Sequence, residues 1–340
     1  MSENACPLCS TEETEFFARC TDHLLKTTDK MFSLRECRAC GIIYLAPIPS
    51  AEELRAYYPS GYWWSESSRA RNFLSAVGKR LESLYRRMAL RDHIRFVLGA
   101  ARHVSEEGET VDLLDVGCSG GTLLHELSHR GISGRGLDFS EEAVAHATRV
   151  YQLDCSVGDL TQNPWQQHRF SLLTCFHVLE HVPEPRAFLK AMAAALVERG
   201  RIVLQVPNIR SWQCRLFGSQ WYGLDPPRHL VNFSDRALIR LLQEAGFDVI
   251  RKKRFSLRDD AAGWVSSAFP RLDPLARAVR KTSKERPAGE PAALGIFKNF
   301  VYFVLLLAAT PVALCDSLAG RGATIMLEAR RSSKPTTPHN

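Results

Sequence analysis

From residue 109 to about residue 254, short apolar runs alternate with longer runs whose apolar positions recur every three or four residues. The first kind predicts strands at Val111–Val116, Gly134–Asp138, Cys155–Val157, Phe170–Phe176, Arg201–Val206 and Phe247–Arg254. The second predicts helices near Thr122–Arg130, Ser140–Tyr151, Arg186–Val197 and Ser234–Ala245. Ser140 is placed to cap its helix, with Glu141 and Glu142 in the first turn, and Gly246 stops the last helix. Apolar strands that alternate with helices specify a parallel sheet covered on both faces. The fold class is α/β, a doubly wound Rossmann-like sheet.

The flanks read differently. Residues 1–48 are rich in cysteine and turn residues, and residues 49–108 read as a helical cap or linker. Within the latter, Phe73, Val77, Leu81, Leu84 and Met88 share one helix face. After the core at 109–254 comes a basic insert with an apolar run from Phe300 to Cys315, spanning 255–320. Sixteen residues interrupted by Pro311 fall short of the ~20 that cross a bilayer, so a buried or interfacial helix is expected. Ala323–Arg330 reads as a further strand within a last segment, 321–332, and 333–340 as a disordered tail.

At 340 residues with 24% charged positions, the chain is neither fibrous nor disordered. Met1–Asn4 lacks the pattern of a secretory signal, so a cytoplasmic location with its ten cysteines as thiols is expected. The net charge of +7 is uneven. Residues 69–103 carry nine Lys/Arg against two acids, and residues 251–290 carry eleven against five. Such segments suit an anionic substrate, a nucleic acid or an anionic membrane surface, and solvated helix faces look the same.

Cys6-Pro-Leu-Cys9 and Cys37-Arg-Ala-Cys40 are two CxxC turns with 27 residues between them. Each turn aims two sulfurs at one point, and together they complete a tetrahedral thiolate shell for zinc. Four thiolates leave no open position, so the site is structural. Cys20 and His23 lie between the pairs as substitute ligands of poorer spacing.

Asp115-Val-Gly117-Cys-Ser119-Gly120-Gly121-Thr122 closes one strand and opens a helix. A dinucleotide fingerprint needs glycine at 117, 119 and 122, and the chain has Gly, Ser and Thr. Asp115 would repel a pyrophosphate but suits an ammonium or sulfonium group. Asp138 ends the next strand, where a carboxylate accepts both hydroxyls of a ribose. Gly158-Asp159-Leu160 follows the third strand and offers an acceptor for an adenine amino group. The three acids together point to S-adenosylmethionine (SAM).

The order DVGCSGG, GLDFS, GDL, FHVLEHVPEP and GRIVLQVPN, from about Val111 to Phe247, resembles the class I SAM-dependent methyltransferases. It is similar to the branch that includes the ubiquinone-biosynthesis O-methyltransferases. With Cys6–Cys40, Tyr57-Tyr58 and DPPRHLVNFS at 225–234, it looks most like bacterial methyltransferases with an N-terminal zinc ribbon. The resemblance implies a seven-stranded methyltransferase sheet whose antiparallel strand Ala323–Arg330 could supply. It also implies that Asp115, Gly117 and Gly120 cradle the methionine part, Asp138 the ribose and Asp159 the adenine, with Ser119, Phe139 and Leu160 as further cofactor-binding residues. The His177 backbone would lie near the cofactor. Ser119 stands where glycine is commonest, a mild change if its φ is negative.

His177-Val-Leu-Glu180-His181 also spells a zinc-peptidase pattern, but Pro183 and Pro185 exclude the continuous helix that chemistry needs. A hydroxyl acceptor calls for a base, and His181 and then His229 are the candidates. A loop-bracing role is the plainer reading of both. Arg228 is a candidate grip for an anionic substrate group. Trp63, Trp64, Trp212, Trp221 and Tyr222 are candidate pocket walls or core. The function expected is methyl transfer from SAM to a small-molecule, sugar or lipid-linked acceptor, at a hydroxyl. RNA methylation and a non-catalytic SAM-binding or zinc scaffold are the alternatives; against the former, Phe176-His177-Val178 stands where a base-binding Pro-Pro motif would lie. A peripheral seat on the inner membrane face fits the basic cap and the apolar run.

Overall fold

A computed structural model describes residues 5–58, 90–160, 165, 167–282 and 291–332. The Phe73–Met88 helix face, Trp63, Trp64 and the 333–340 tail lie outside them.

Two sheets organise the chain. The larger has seven strands: β4 (Leu113–Val116), β5 (Gly134–Asp138), β6 (Asp154–Val157), β7 (Phe170–Phe176), β8 (Leu196–Pro207), β10 (Phe247–Lys253) and β11 (Thr324–Arg331). Their order is β10-β11-β8-β7-β4-β5-β6, with β11 antiparallel to both neighbours and the others of the central set parallel. The strand expected at Ala323–Arg330 therefore joins the core, inserted between β8 and β10.

The parallel strands sort their side chains by the two-residue period. Leu113, Leu172, Val203 and Met326 pack on one face with Ile94, Val97 and Ala101 of α2 (Arg91–Glu106). Leu114, Leu173, Ile202, Leu204 and Leu327 pack on the other, with Leu189 and Met192 of α5 (Pro185–Ala195) and Leu238 and Leu241 of α7 (Asp235–Glu244). The α3 (Thr122–Ser128) and α4 (Glu141–Tyr151) helices follow β4 and β5. Ser140 accepts the Ala143 N–H at the head of α4, as its sequence position indicates. The helix expected over Arg186–Val197 ends two residues early, because β8 starts at Leu196 and pairs there with Phe170.

The smaller, antiparallel sheet holds β1 (Thr14–Thr21), β2 (Met31–Cys37) and β3 (Ile43–Leu45), followed by α1 (Ala51–Ala56). Its fourth strand is β9 (Val231–Asn232), contributed from far along the chain. Cys6, Cys37, Ile42 and Tyr44 belong to the same apolar cluster as the large sheet. Arg228, wholly buried, ties the two ends together: its guanidinium donates to Asp22 (2.8 and 3.0 Å), to Asp225 (2.6 and 2.9 Å) and to the Tyr57 carbonyl. That corrects the reading of Arg228 as a substrate grip.

The α6 helix (Trp212–Phe217) lies between β8 and β9, and the insert between β10 and β11 contributes α8 (Asp260–Ala268), α9 (Pro274–Thr282) and α10 (Ala292–Leu318). The apolar run thus forms a helix of 27 residues that continues through Pro311, not one of sixteen, so length alone does not rule out a span. Val265, Tyr302 and Leu306 form the contact between α8 and α10.

Candidate active site

The site is built at the carboxyl ends of β4, β5, β6 and β7, where an open α/β sheet leaves a crevice. The turn after β4 is shaped by close approach. Gly117 has φ of +79°, and a Cβ there would lie 2.3 Å from Val178 Cγ2. Gly121, at φ +78°, would meet Leu153 and Ala147 in the same way. Ser119 also adopts a positive φ, +49°, so its replacement of glycine carries strain rather than being neutral. What holds it there is Asp138, which accepts the Ser119 N–H at one oxygen and the Ser140 N–H at the other, each at 2.8 Å. Asp138 thus braces the glycine turn against the head of α4.

Asp115 is buried and accepts from the Thr174 hydroxyl at 2.6 Å. Burial pushes its carboxyl up to about 7, against the partial relief of Thr174. Burial raises Asp138 as well. Two buried acids with no basic partner among the described residues form an environment that a cation would relieve. This is the donor chemistry that a sulfonium and an ammonium group require. Phe139, at the tip of β5, is 59% exposed and stands edge-on to Tyr58 at 6.2 Å. Asp159 is exposed two residues past β6, and Leu160 beside it is buried.

The segment after β7 is a single 3-10 turn at Leu179–His181, as Pro183 and Pro185 indicate. His177 has φ of +57° and lies between two carboxylates, Glu180 at 3.2 Å and Asp259 at 3.2 Å. Burial opposes its charge, but Asp259 and Glu180 outweigh that and raise it to about 9. Asp259 also accepts from Gln205, on β8, and from Ser256.

His181 and His229 meet edge to face at 4.6 Å between ring centres. His181 Nδ1 lies 3.0 Å from the Arg228 carbonyl and 3.0 Å from the Tyr58 hydroxyl. Donation to the carbonyl fixes its proton on Nδ1 and leaves the lone pair on Nε2. Burial, with His229 beside it, pushes His181 down to about 4. His229 Nδ1 donates to the Gly223 carbonyl at 2.9 Å, and its Nε2 lies 4.0 Å from Glu180. Glu180, His181 and His229 bring one ligand atom each within 4.8 Å of one another, which would also suit a cation.

Sequence reasoning placed both histidines but gave no role to Tyr58, Glu180, Gln205 or Asp259. Glu180 and Tyr58 stood in quoted motifs; Asp259 is 82 residues from His177 and only the fold joins them. Of the aromatic candidates, Trp221 is core, with its indole N–H donated to Gln213, and Trp212 faces an outer groove.

At the N-terminal end, Cys6 and Cys40 sulfurs are 3.6 Å apart and Cys9 and Cys37 sulfurs 3.5 Å apart, with all four within 4.8 Å. Sulfurs ~2.3 Å from a tetrahedral zinc stand about 3.8 Å from one another, so the four fit the ion. Gly41, at φ +75°, provides the turn after Cys40. Cys20 is not part of the set; it donates to the Phe32 carbonyl in another cluster.

Comparison with known proteins agrees with this geometry. The ubiquinone biosynthesis O-methyltransferase of Idiomarina loihiensis is 29% identical over 151 residues, which is 41% of this chain and 62% of that protein. That of Erwinia tasmaniensis is 30% identical over 125 residues, 34% of this chain and 51% of that one. The chain therefore spans about half to three fifths of the curated relatives it matches. Among solved structures, magnesium protoporphyrin IX methyltransferase from Synechocystis PCC 6803 is 16% identical, with a TM-score of 0.46 over 83% of this chain and all of that one. The profile described as "Methyltransferase domain" matches residues 73–252, more than half of the chain and the whole of the glycine turn, the three strand-tip acids and the histidine segment. The chain belongs to that methyltransferase-domain family.

Proposed function

We propose that the protein is a SAM-dependent methyltransferase that methylates a hydroxyl of a small-molecule or lipid-linked acceptor, with a structural zinc in its Cys6/Cys9/Cys37/Cys40 site. The observation that carries the reading is the uncompensated pair of buried acids, Asp115 and Asp138, flanking a glycine turn too tight for any side chain at 117. SAM, when bound, supplies an electrophilic methyl on a sulfonium that leaves as a neutral thioether.

The chain's residues then bind, align and accept a proton. Asp115 faces the cationic methionine end, with Gly117, Ser119 and Gly120 as its cradle. Asp138 and Phe139 take the ribose, and Asp159 and Leu160 the adenine. The strained His177 backbone closes the crevice beside the reacting methyl. His181 Nε2 receives the acceptor hydroxyl's proton as the oxygen takes the methyl, and the buried Glu180 carboxylate offsets the charge gained. Burial and the neighbouring His229 push His181 down to about 4, so its imidazole is neutral at physiological pH. His229 is the second candidate. The identity with O-methyltransferases over a third or more of the chain supports a hydroxyl acceptor.

The test is transfer of a labelled methyl from SAM to fractionated cell extract by purified protein. Label in the organic-soluble or small-molecule fraction, lost on hydroxyl blocking, is the expected outcome. Label in RNA, or stoichiometric SAM binding without turnover on any fraction, would overturn it.

A further inference from the structure

The helix α10 presents one apolar stripe to the outside along its whole length. Ile296, Phe297, Phe300, Val304, Leu307, Leu314 and Leu318 are all exposed, Phe300 by 64% and Leu318 by 88%. At 100° per residue these positions fall on one side of the helix. The opposite side is committed to the protein: Tyr302, Leu306 and Ala313 are buried against it, and Asp316 accepts from the Trp264 indole at 2.7 Å. Only 22% of the most apolar window is buried.

Charge is distributed to match an anionic partner. Asp316 is the helix's one acid, and it is buried. Arg277 donates to the Gly295 carbonyl near the first turns, and Arg321 is exposed just beyond the last. Next to the C-terminal half, Trp212, Arg215, Leu216 and Trp264 line a groove of about 570 Å³ with Val312 and Cys315. Arg215 and Arg321 are exposed cations at the margin of the stripe, whereas Arg251, Lys252, Lys253, Arg254 and Arg258 are paired with acids. A long apolar stripe with cations and tryptophan at its margins has the chemistry of an interfacial helix.

We propose that this face of α10 seats in the headgroup and upper acyl region of an anionic lipid bilayer, with the helix in the plane of the membrane. A helix of 27 residues is about 40 Å long and could cross a bilayer, but packing on α8 along its middle holds it against the body. The α8 helix begins at Asp260, directly after the Asp259 that grips His177. The candidate site is therefore one helix layer from the proposed lipid surface. On the methyltransferase reading above, on which this last step rests, the acceptor is lipid-borne and reaches the crevice from the bilayer.

The experiment is flotation of the full reduced chain with vesicles of phosphatidylcholine, with and without phosphatidylglycerol. The wild type floats with the anionic vesicles, and several-fold less with neutral ones or at high salt. F300D and L307D, both at exposed positions, lower the floated fraction by about tenfold or more. Thermal unfolding and SAM binding of these variants stay at wild-type values. A wild type that stays with the pellet fraction, or variants that float equally, would overturn the proposal. So would self-association broken by F300D without flotation, which would make a second copy the occupant. Resistance of the bound protein to alkaline carbonate would replace the in-plane helix with a span. Flotation is read without turnover, so failed methyl transfer with intact flotation counts against the proposed function alone.

Discussion

Asp115 offers the sharpest quantitative test. Its carboxyl is raised from 3.8 to about 7, so the folded, unliganded protein disfavours the carboxylate by about 4 kcal/mol. A single positive charge ~4 Å away, at an effective dielectric of ~20, contributes about 4 kcal/mol in return. The two terms nearly cancel, so the liganded carboxylate should titrate near its ordinary value. Below about 7, SAM must then bind a protonated site and expel its proton, and affinity should fall roughly tenfold per pH unit. Calorimetry from about pH 8 to about pH 5.5, in buffers of different ionisation enthalpy, counts that proton directly. D115N should remove this tenfold-per-unit component, leaving only what Asp138, also raised by burial, adds in the same direction. At high pH, where the free protein already carries the carboxylate, the variant should bind SAM more weakly by up to about 4 kcal/mol. The sign for stability is the reverse of the usual acid case. The folded value lies above the unfolded one, so this group's contribution to unliganded stability falls as pH rises from about 4 to about 7. Affinity independent of pH in the wild type, or a slope unchanged in D115N, would refute the placement of a cation beside this acid.

Further outcomes are expected elsewhere. G117A, whose Cβ would stand 2.3 Å from Val178 at a φ of +79°, should lower SAM affinity by at least about tenfold, measured by calorimetry at a temperature where the fold persists. Metal analysis of freshly purified, reduced protein should give about one zinc per chain, and strong chelation should lower the midpoint of thermal unfolding. H181Q should lower kcat by roughly 10²–10⁴ while leaving SAM affinity intact, the split expected of a base and not of a brace. Because His181 is held at about 4, the wild-type kcat should show no His181 inflection between about pH 6 and 7. A clear inflection there that H181Q removes would contradict the assignment.

The parallel core was legible because its causes are local. Period-two apolar strands, the Ser140 cap and the Gly246 stop all act within a few residues of where they are read. The four-cysteine cluster was legible because two CxxC turns carry their geometry in the spacing. What escaped was made by long-range contact. Nothing near residue 259 marks it as the carboxylate that charges His177, and nothing in Val231–Asn232 announces a strand for the N-terminal sheet. Arg228 sits in a motif beside a histidine, which invites a substrate role. Only the buried Asp22, more than 200 positions earlier, shows that its charge is already spoken for. The extent of α10 was misjudged because Pro311 was read as a break, whereas the helix absorbs it.

The shared β9 strand and the Asp22–Arg228–Asp225 clamp make the four-cysteine end and the glycine-turn end mechanically one body. Clipping off the first four dozen residues would not liberate a catalytic fragment. It would bare the edge of Val231–Asn232 and take the Asp22 carboxylate from Arg228, leaving the buried guanidinium on Asp225 and the Tyr57 carbonyl. Ion loss at the thiolates should accordingly be felt at the crevice, and calorimetric melting should register both ends in a single cooperative endotherm.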